Sequence, residues 1–123
     1  MIKTTYHCLD AYTTKDGSII RELMHPAVHG GNNMSLAEAI VPAGTATHLH
    51  CHFKTEEIYH ITSGKGEMTL GDDRFEVSAG DTILIAPKTP HRISNAQAGE
   101  LKLLCCCSPP YSHEDTHLSP AGE

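Results

Sequence analysis

The sequence lacks long hydrophobic runs and has few basic residues. No apolar run approaches the roughly 20 residues of a membrane-spanning helix, and the first residues, MIKTTYHCLD, show no secretion signal. The nine basic residues are scattered among fifteen acidic ones, and the net charge is −6. A nucleic-acid or anionic-membrane surface would need a basic stripe. We therefore expect a cytoplasmic protein whose partners are small molecules or other subunits, with no nucleic acid and no membrane.

A spaced framework of paired cysteines is also missing. Three of the five cysteines are adjacent in LLCCCS, and neighbouring cysteines bridge poorly. This pattern argues against a small disulfide-stapled secreted domain and predicts reduced thiols. On a strand, Cys105 and Cys107 would share one face and Cys106 the other. Burial as small apolar residues is the favoured interpretation, and a soft-metal site is the alternative.

The 123 residues are one domain's length, and turn signals are frequent. From Gly64 onward these signals recur every seven to ten residues, between short runs of β-branched or alternating residues. The predicted strands include residues 67–70, 74–77, 81–86, 91–94 and 101–107. This rhythm is typical of an all-β sandwich or barrel.

Two segments leave more than one interpretation open. MSLAEAI, residues 34–40, contains good helix formers, but seven residues between two turn signals fit a strand better. TILIA, residues 82–86, is apolar at nearly every position, which predicts a strand covered on both sides. One of the two covers could be another subunit.

Alternating histidines and paired acids lie in HLHCHFKTEE, residues 48–57. On an extended strand His48, His50 and His52 point to the same side, so two imidazoles can bind one ion. Imidazole nitrogens suit first-row divalent metals, and a carboxylate such as Glu56 or Glu57 adds negative charge that suits Fe(II) or Mn(II). The alternative is a set of solvent-facing histidines on an edge strand without a function.

This stretch and a second one resemble the two signatures of the cupin superfamily. GTATHLHCHFKTEEIYHITSG resembles the first signature, and GDTILIAPKTPHRISN resembles the second. The matching positions, in chain order, are Gly44, His50, His52, Glu57, Gly64, Gly80, His91 and Asn95. Two signatures in the right order are far more specific than either alone.

Two positions depart from the second signature. Ala86 stands where proline is usual, and Lys88 stands where glycine is usual. A residue with a Cβ tolerates positive φ poorly, so Lys88 predicts an altered or strained turn.

The resemblance covers about residues 35–110 and identifies the chain as a small single-domain member of the cupin 2 conserved barrel group. It implies a double-stranded antiparallel β-barrel of the jelly-roll type, commonly a homodimer. The remaining parts of the single domain are N-terminal strands at 1–34 and an extended tail at 111–123. The resemblance also implies one divalent metal ion per chain, bound at four motif positions: His50, His52, Glu57 and His91.

The register of the signature separates neighbouring candidates. Binding by His48 and His50 would move the pair out of the signature, so His48 is assigned to the pocket mouth or to the surroundings of the ligands. The spacing to the following glycine favours Glu57 over Glu56. Cys51 alternates away from the histidines.

Open positions on such an ion point to chemistry on a small oxygenated molecule. The favoured hypothesis is a metal-dependent enzyme, either dioxygenase-like or an isomerase or lyase, with Fe, Mn, Ni, Cu or Zn as the ion. The alternatives are a non-catalytic metal-loaded module for a sugar or organic acid, and a metal that only stiffens the fold. Tyr59, which shares the strand face of Glu57, is the candidate catalytic residue; the alternative is a hydrogen-bonded core tyrosine.

Other residues near the motifs have two interpretations each. Lys54, Lys88 and Arg92 would attract an anionic substrate or would simply be solvated. His25 and His29, in MHPAVHGG, belong to a loop that would close over the barrel mouth or form a plain surface turn.

Overall fold

The computed structural model describes residues 1–119. These residues form twelve β-strands and one short 3-10 turn at Tyr6–Cys8, and none of them forms a helix long and apolar enough to cross a membrane. The strands are β1 (Ala11–Thr13), β2 (Ile19–Met24), β3 (Ser35–Val41), β4 (Thr45–Ala46), β5 (His50–His52), β6 (Glu56–Ser63), β7 (Lys65–Leu70), β8 (Asp73–Ser78), β9 (Thr82–Ile85), β10 (His91–Asn95), β11 (Leu101–Ser108) and β12 (Thr116–Leu118).

The strands form two antiparallel sheets. The first has the order β1-β2-β3-β11-β6-β9, and the second has the order β12-β5-β10-β7-β8, with β4 also paired to β10. The predicted all-β barrel of the jelly-roll type is therefore confirmed. Strands distant in the chain are direct neighbours, since β11 pairs with β3 on one side and with β6 on the other.

The core lies between the sheets because inward and outward residues alternate along the strands. In β11, Leu101, Leu103, Cys105 and Cys107 are buried, while the residues between them are partly exposed. The predicted faces of Cys105 and Cys107 are thus confirmed, and all five cysteines have free thiols. The aliphatic side chains that are almost fully buried include Val41, Ile61, Met68, Ile85, Ile93, Leu101 and Leu103. Each contributes about 1.5–3 kcal/mol to folding by leaving water.

The strand interpretation of MSLAEAI is confirmed, since Ser35–Val41 forms β3. Within the single chain TILIA is covered on one face only, and a second cover from another subunit stays a prediction. Ile83 and Ile85 are buried, but Leu84 is 59% exposed, because β9 lies at the edge of the first sheet and has only one face on the core.

Leu84 belongs to an exposed row that crosses the outer face of the first sheet. The strand registers place Leu36 opposite Cys106, Cys106 opposite Ile58, and Ile58 opposite Leu84. Leu36 and Ile58 are 37% and 41% exposed, and Cys106 is half-buried. We call these four residues the outer row.

The turn before β10 contains a lysine, Lys88, at the position where the second signature usually has glycine. Lys88 adopts φ of 70°, in the left-handed region that glycine normally fills. Its backbone N–H donates to the carbonyl of His52 at 2.6 Å, which fixes the turn to the histidine strand β5. The predicted strain at Lys88 therefore takes the form of a non-glycine residue with positive φ.

The turn between β1 and β2 and the strand β12 both pack beside β5. In the turn between β1 and β2, the Asp16 carbonyl accepts a hydrogen bond from the His48 N–H at 2.7 Å. On the other side, β12 pairs with β5, with Thr116 opposite His52 and Leu118 opposite His50. The predicted extended tail thus runs along the barrel up to residue 119, and its last residues, 120–123, lie outside the described part of the chain.

Candidate metal centre

Three histidines converge inside the barrel. His50 and His52 are alternate residues of β5, and His91 begins β10, where it pairs with His50. One ring nitrogen from each lies within 4.8 Å of the other two, and the three side chains are buried. This spacing suits donors that surround one ion.

Glu57 reaches this cluster from β6 in the other sheet. Its Oε1 lies 3.3 Å from His52 Nε2 and 3.5 Å from His91 Nε2. Two donors that each lie about 2.1 Å from one ion are separated by roughly 3–3.5 Å when they are adjacent on it. The distances therefore fit adjacent ligands of a first-row metal.

Two buried atoms of the cluster have no hydrogen-bond partner among residues 1–119. They are Glu57 Oε1 and His91 Nε2, and His91 is fully buried. A buried polar atom without a hydrogen-bond partner costs about 1–3 kcal/mol of stability, so these two atoms indicate that a further group binds here. An ion that accepts lone pairs from an imidazole and a carboxylate would satisfy both atoms, and the residues present therefore fit a metal.

Backbone carbonyls orient all three imidazoles. Nδ1 of His50 donates to the His48 carbonyl at 2.8 Å, and Nδ1 of His91 donates to the Thr89 carbonyl at 2.9 Å. Nδ1 of His52 lies 3.3 Å from the Asp115 carbonyl. With the proton assigned to Nδ1 in each neutral ring, Nε2 carries the lone pair that a metal needs.

The charges of the cluster stabilise an ionised carboxylate. Burial alone would raise the pKa of Glu57, but the neighbouring His52 and His91 outweigh it and lower the pKa to about 2. Burial would lower the pKa of His52, but the same carboxylate reverses this and the pKa of His52 is raised. Glu57 is therefore ready at neutral pH to neutralise a cation.

His50 has the opposite environment. Burial, and then the positive charge that His91 would carry, lower the pKa of His50 to about 4. Its imidazole is therefore neutral near pH 7, which is the form that binds a metal.

A cavity of about 40 Å³ lies beside the cluster. A cavity of this size holds about three water molecules, so only a small ligand fits. The acidic residues of its wall are Asp16, Glu22 and Glu57, and no lysine or arginine of the described chain lines it. Glu22 Oε1 is buried there without a hydrogen-bond partner in residues 1–119.

Tyr59 lines the same cavity and is 4% exposed. Burial, followed by the charge of Glu57, raises the pKa of Tyr59 well above its usual value of 10. Its phenol therefore stays protonated and can donate a hydrogen bond but cannot act as a base near neutral pH. The assignment of Tyr59 as a catalytic residue stays a prediction.

The basic residues expected to attract an anion lie away from the cavity. Lys54 and Lys88 are exposed, and Arg92 is half-buried on the opposite face of β10 from His91. The loop with His25 and His29 does not line the cavity, but His25 Nε2 lies 2.8 Å from the carbonyl of Tyr111, a residue of the cavity wall. His29 caps its own turn by accepting from the His25 N–H, and the role of this loop stays a prediction.

The residues next to the motif positions point elsewhere. His48 and Glu56 are exposed, and Cys51 is half-buried on the face opposite to His50 and His52. His48 contributes its backbone carbonyl to the orientation of His50. The choice of Glu57 over Glu56 agrees with this placement, and the ligand set itself stays a prediction until metal is measured.

No sequence pattern singles out three titratable residues of the cavity wall, namely Asp16, Glu22 and Tyr111. All three come from segments outside the two signatures. KDG at residues 15–17 indicated only a turn, since nothing in its pattern shows which strand the turn contacts. Burial would raise the pKa of Asp16, but the charge on His50 and hydrogen bonds from Ser18 and Thr14 lower it.

Comparison with protein families agrees with the two signatures. The profile of the cupin domain family matches residues 37–107, more than half of the chain. An uncharacterized protein of Methanocaldococcus jannaschii is 58% identical over 118 residues, which cover 96% of this chain and 94% of that protein. An L-ectoine synthase of Desulfatibacillum aliphaticivorans is 32% identical over 71% of this chain and 66% of the synthase.

Comparison with solved structures shows the same fold. A variant of the oxalate decarboxylase of Bacillus subtilis superposes with a TM-score of 0.81 at 19% identity, over 96% of this chain and 32% of the decarboxylase. The chain therefore spans about a third of the decarboxylase and slightly less than two thirds of the synthase.

Proposed function

This chain belongs to the cupin family, and from that membership we propose that it is a metal-dependent enzyme acting on a small oxygenated molecule. The proposed ligands of the ion are His50, His52, Glu57 and His91. The observation that carries the proposal is the pair of buried, unpartnered atoms, Glu57 Oε1 and His91 Nε2, beside a cavity. A metal that only stiffened the fold would need no adjoining space.

The chain's own residues define what the cavity accepts. Its size restricts the substrate to a few heavy atoms, and its acidic wall disfavours carboxylates and phosphates. An uncharged molecule with hydroxyl or carbonyl groups fits this wall. Tyr59 donates a hydrogen bond to it, while Glu22 Oε1 accepts one. The bound ion, an Fe, Mn, Ni, Cu or Zn divalent cation, supplies a Lewis acid that polarises a substrate oxygen.

Isomerase or lyase chemistry fits these residues better than dioxygenase chemistry. Both isomerisation and elimination need a group that accepts a proton from carbon, and the cavity wall offers the unpartnered carboxylate oxygen of Glu22. The activity of one similar protein, the L-ectoine synthase, supports an enzyme over a binding module.

Elemental analysis of protein purified without added metal or chelator tests the proposal. We expect near-stoichiometric metal in wild type and in His48→Ala, and loss of metal in the His50→Ala/His91→Ala double variant. A folded wild type that takes up no metal would contradict the proposal. Loss of metal in His48→Ala with retention in His50→Ala would contradict the ligand register.

Turnover assays of the loaded protein on small hydroxy and keto compounds then separate the reaction classes. We expect product formation that is equal with and without dioxygen. Turnover that requires dioxygen would establish dioxygenase chemistry instead. Stoichiometric binding of such a compound without turnover would indicate a metal-loaded binding module.

The proposal extends to a homodimer that covers the outer row. Leu36, Ile58 and Leu84 expose apolar surface on one continuous sheet face, and a second copy is the cover expected for TILIA. The free thiols of all five cysteines suit the reducing cytoplasm, which is the proposed location.

A further inference from the structure

Asp16 lies in the turn between β1 and β2, far from both signatures in sequence, and is 9% exposed. Its Oδ1 accepts three hydrogen bonds: from Thr14 Oγ1 at 2.7 Å, from the Ser18 N–H at 3.0 Å and from Ser18 Oγ at 2.6 Å. These donors saturate one oxygen and fix the plane of the carboxylate. The second oxygen, Oδ2, is therefore held in a defined direction.

Asp16 Oδ2 points to the histidine cluster. It lies 3.5 Å from His50 Nε2 and takes part in no hydrogen bond within residues 1–119. Because the Nδ1 proton of neutral His50 is donated to the His48 carbonyl, Nε2 has only a lone pair to offer. A cation that lies close to both atoms would accept a lone pair from each of them.

The separation matches that of the proposed ligands. Oδ2 of Asp16 is 3.5 Å from His50 Nε2, and Oε1 of Glu57 is 3.5 Å from His91 Nε2. Atoms that each lie about 2.1 Å from one ion and subtend about 110° there are about 3.5 Å apart. Asp16 Oδ2 thus lies as far from His50 Nε2 as Glu57 Oε1 lies from His91 Nε2.

The turn that carries Asp16 is anchored on both sides of β5. The Asp16 carbonyl accepts from the His48 N–H, and Lys15 Nζ donates to the Thr116 carbonyl at 2.9 Å. These contacts hold the turn against the metal strand and against β12, so the carboxylate is positioned without help from a ligand.

We propose that Asp16 Oδ2 is a fifth protein donor to the metal ion at His50, His52, Glu57 and His91. This inference rests on the proposed metal site. Five protein donors leave one position on a six-coordinate ion, so a substrate binds through a single oxygen and does not chelate.

Titration of metal-free protein with Co²⁺ tests the inference, since its visible absorption reports the coordination of the ion. We expect Asp16→Asn to weaken Co²⁺ binding at least about 10-fold and to change the visible band. Glu56→Gln, at an exposed carboxylate next to Glu57 in the chain, is the control, with affinity within about two-fold of wild type.

The outcomes separate this inference from the proposed function. Failure of wild type to bind Co²⁺ would overturn the metal site as a whole. Wild-type binding with an unchanged band in Asp16→Asn, or equal weakening in Asp16→Asn and Glu56→Gln, would overturn Asp16 as a donor. Should Asp16→Asn fail to fold, Asp16→Cys decides: a thiolate-to-cobalt charge-transfer band that wild type lacks supports inner-sphere placement of residue 16, and its absence contradicts it.

Discussion

At the scale of single residues, each histidine of the cluster has one ring nitrogen, Nδ1, beside a backbone carbonyl. The other nitrogen, Nε2, is the one proposed to bind the ion. Nδ1 of His50 and Nδ1 of His91 are held by backbone carbonyls, so that each Nε2 faces the centre of the barrel. The carbonyls fix the rings before any ion binds, which lowers the entropic cost of ordering these side chains when a metal binds. The site is thus prepared by the fold.

The low pKa of His50 makes the stability of metal-free protein depend on pH. The unfolded chain protonates this residue near pH 6.5, whereas the folded chain does so only near pH 4. Between these values the unfolded state binds more protons, so the free energy of unfolding decreases as pH falls, by about 3 kcal/mol over the whole window.

Chemical denaturation of metal-free protein at several pH values between 7 and 4 checks this expectation. His50→Gln should show a shallower decrease of the free energy of unfolding than wild type. His48→Gln, a change at an exposed neighbour, should keep the wild-type slope. Equal slopes in wild type and His50→Gln would show that His50 is not the responsible group.

At the scale of elements, the turn before β10 contains a residue that its conformation disfavours. Lys88 is exposed and adopts φ of 70°, so Lys88→Gly removes the steric cost of a Cβ and loses little contact. That relief is about 1–2 kcal/mol, and the added chain entropy of glycine offsets about half of it. We expect the free energy of unfolding to rise by about 0.5–1 kcal/mol in urea denaturation.

Lys88→Ala is the control for this prediction. Alanine keeps the Cβ and removes the rest of the side chain, so it should not stabilise the protein. An equal gain from alanine and glycine would show that the long side chain, and not its backbone angle, is responsible.

The segment before β12 closes the turn between β5 and β6. The carboxylate of Asp115 accepts hydrogen bonds from the N–H groups of Phe53, Lys54 and Thr55, at 3.1 to 3.2 Å. Its own backbone carbonyl lies beside His52 Nδ1. Asp115→Ala should therefore lower the free energy of unfolding by about 1 kcal/mol or more and also weaken metal binding.

Thermal unfolding with and without Co²⁺ measures both effects. Glu114→Ala, at an exposed carboxylate next to Asp115 in the chain, should change neither value appreciably. If Asp115→Ala lowered the melting temperature but left the increase on adding Co²⁺ unchanged, its contact with His52 would have no part in metal binding.

The elements that the sequence predicts well are those with local signals. Alternation and turn signals located β7 to β11, strand periodicity placed His50 and His52 on one face, and the resemblance to the two signatures implied that His91 joins them. The pairing partners of the N-terminal strands had no such signal. Asp16 reaches the cluster only because its turn contacts residue 48, and such a contact depends on the register of strands distant in the chain.

The second cover of TILIA is open for a related reason. A strand with apolar residues on both faces has the same sequence whether its second cover is part of the same chain or another copy. In the chain alone, Leu84 is exposed at the sheet edge while Ile83 and Ile85 reach the core. Departure from the usual glycine at Lys88 was likewise visible in sequence, but only the backbone shows that the turn tolerates it.

At the scale of the whole molecule, the outer row predicts the oligomeric state. Leu84→Glu places a charge in the middle of the proposed interface, where a second copy would bury it without a partner. We expect wild type to sediment as a dimer and Leu84→Glu as a monomer in analytical ultracentrifugation. Leu118→Glu, at an exposed apolar residue of the other sheet, should remain dimeric. A monomeric wild type would contradict the interface.

The position of β5 between the β1–β2 turn and β12 has a consequence for biosynthesis. Residues that contact the histidine strand come from positions 16 and 115–116, so two segments that are far apart in the chain must meet before the histidines acquire their final orientation. A growing chain therefore presents no finished site to the cell's metal pool. A metal that binds at the proposed site would therefore be selected by the folded barrel, and not by the order of synthesis.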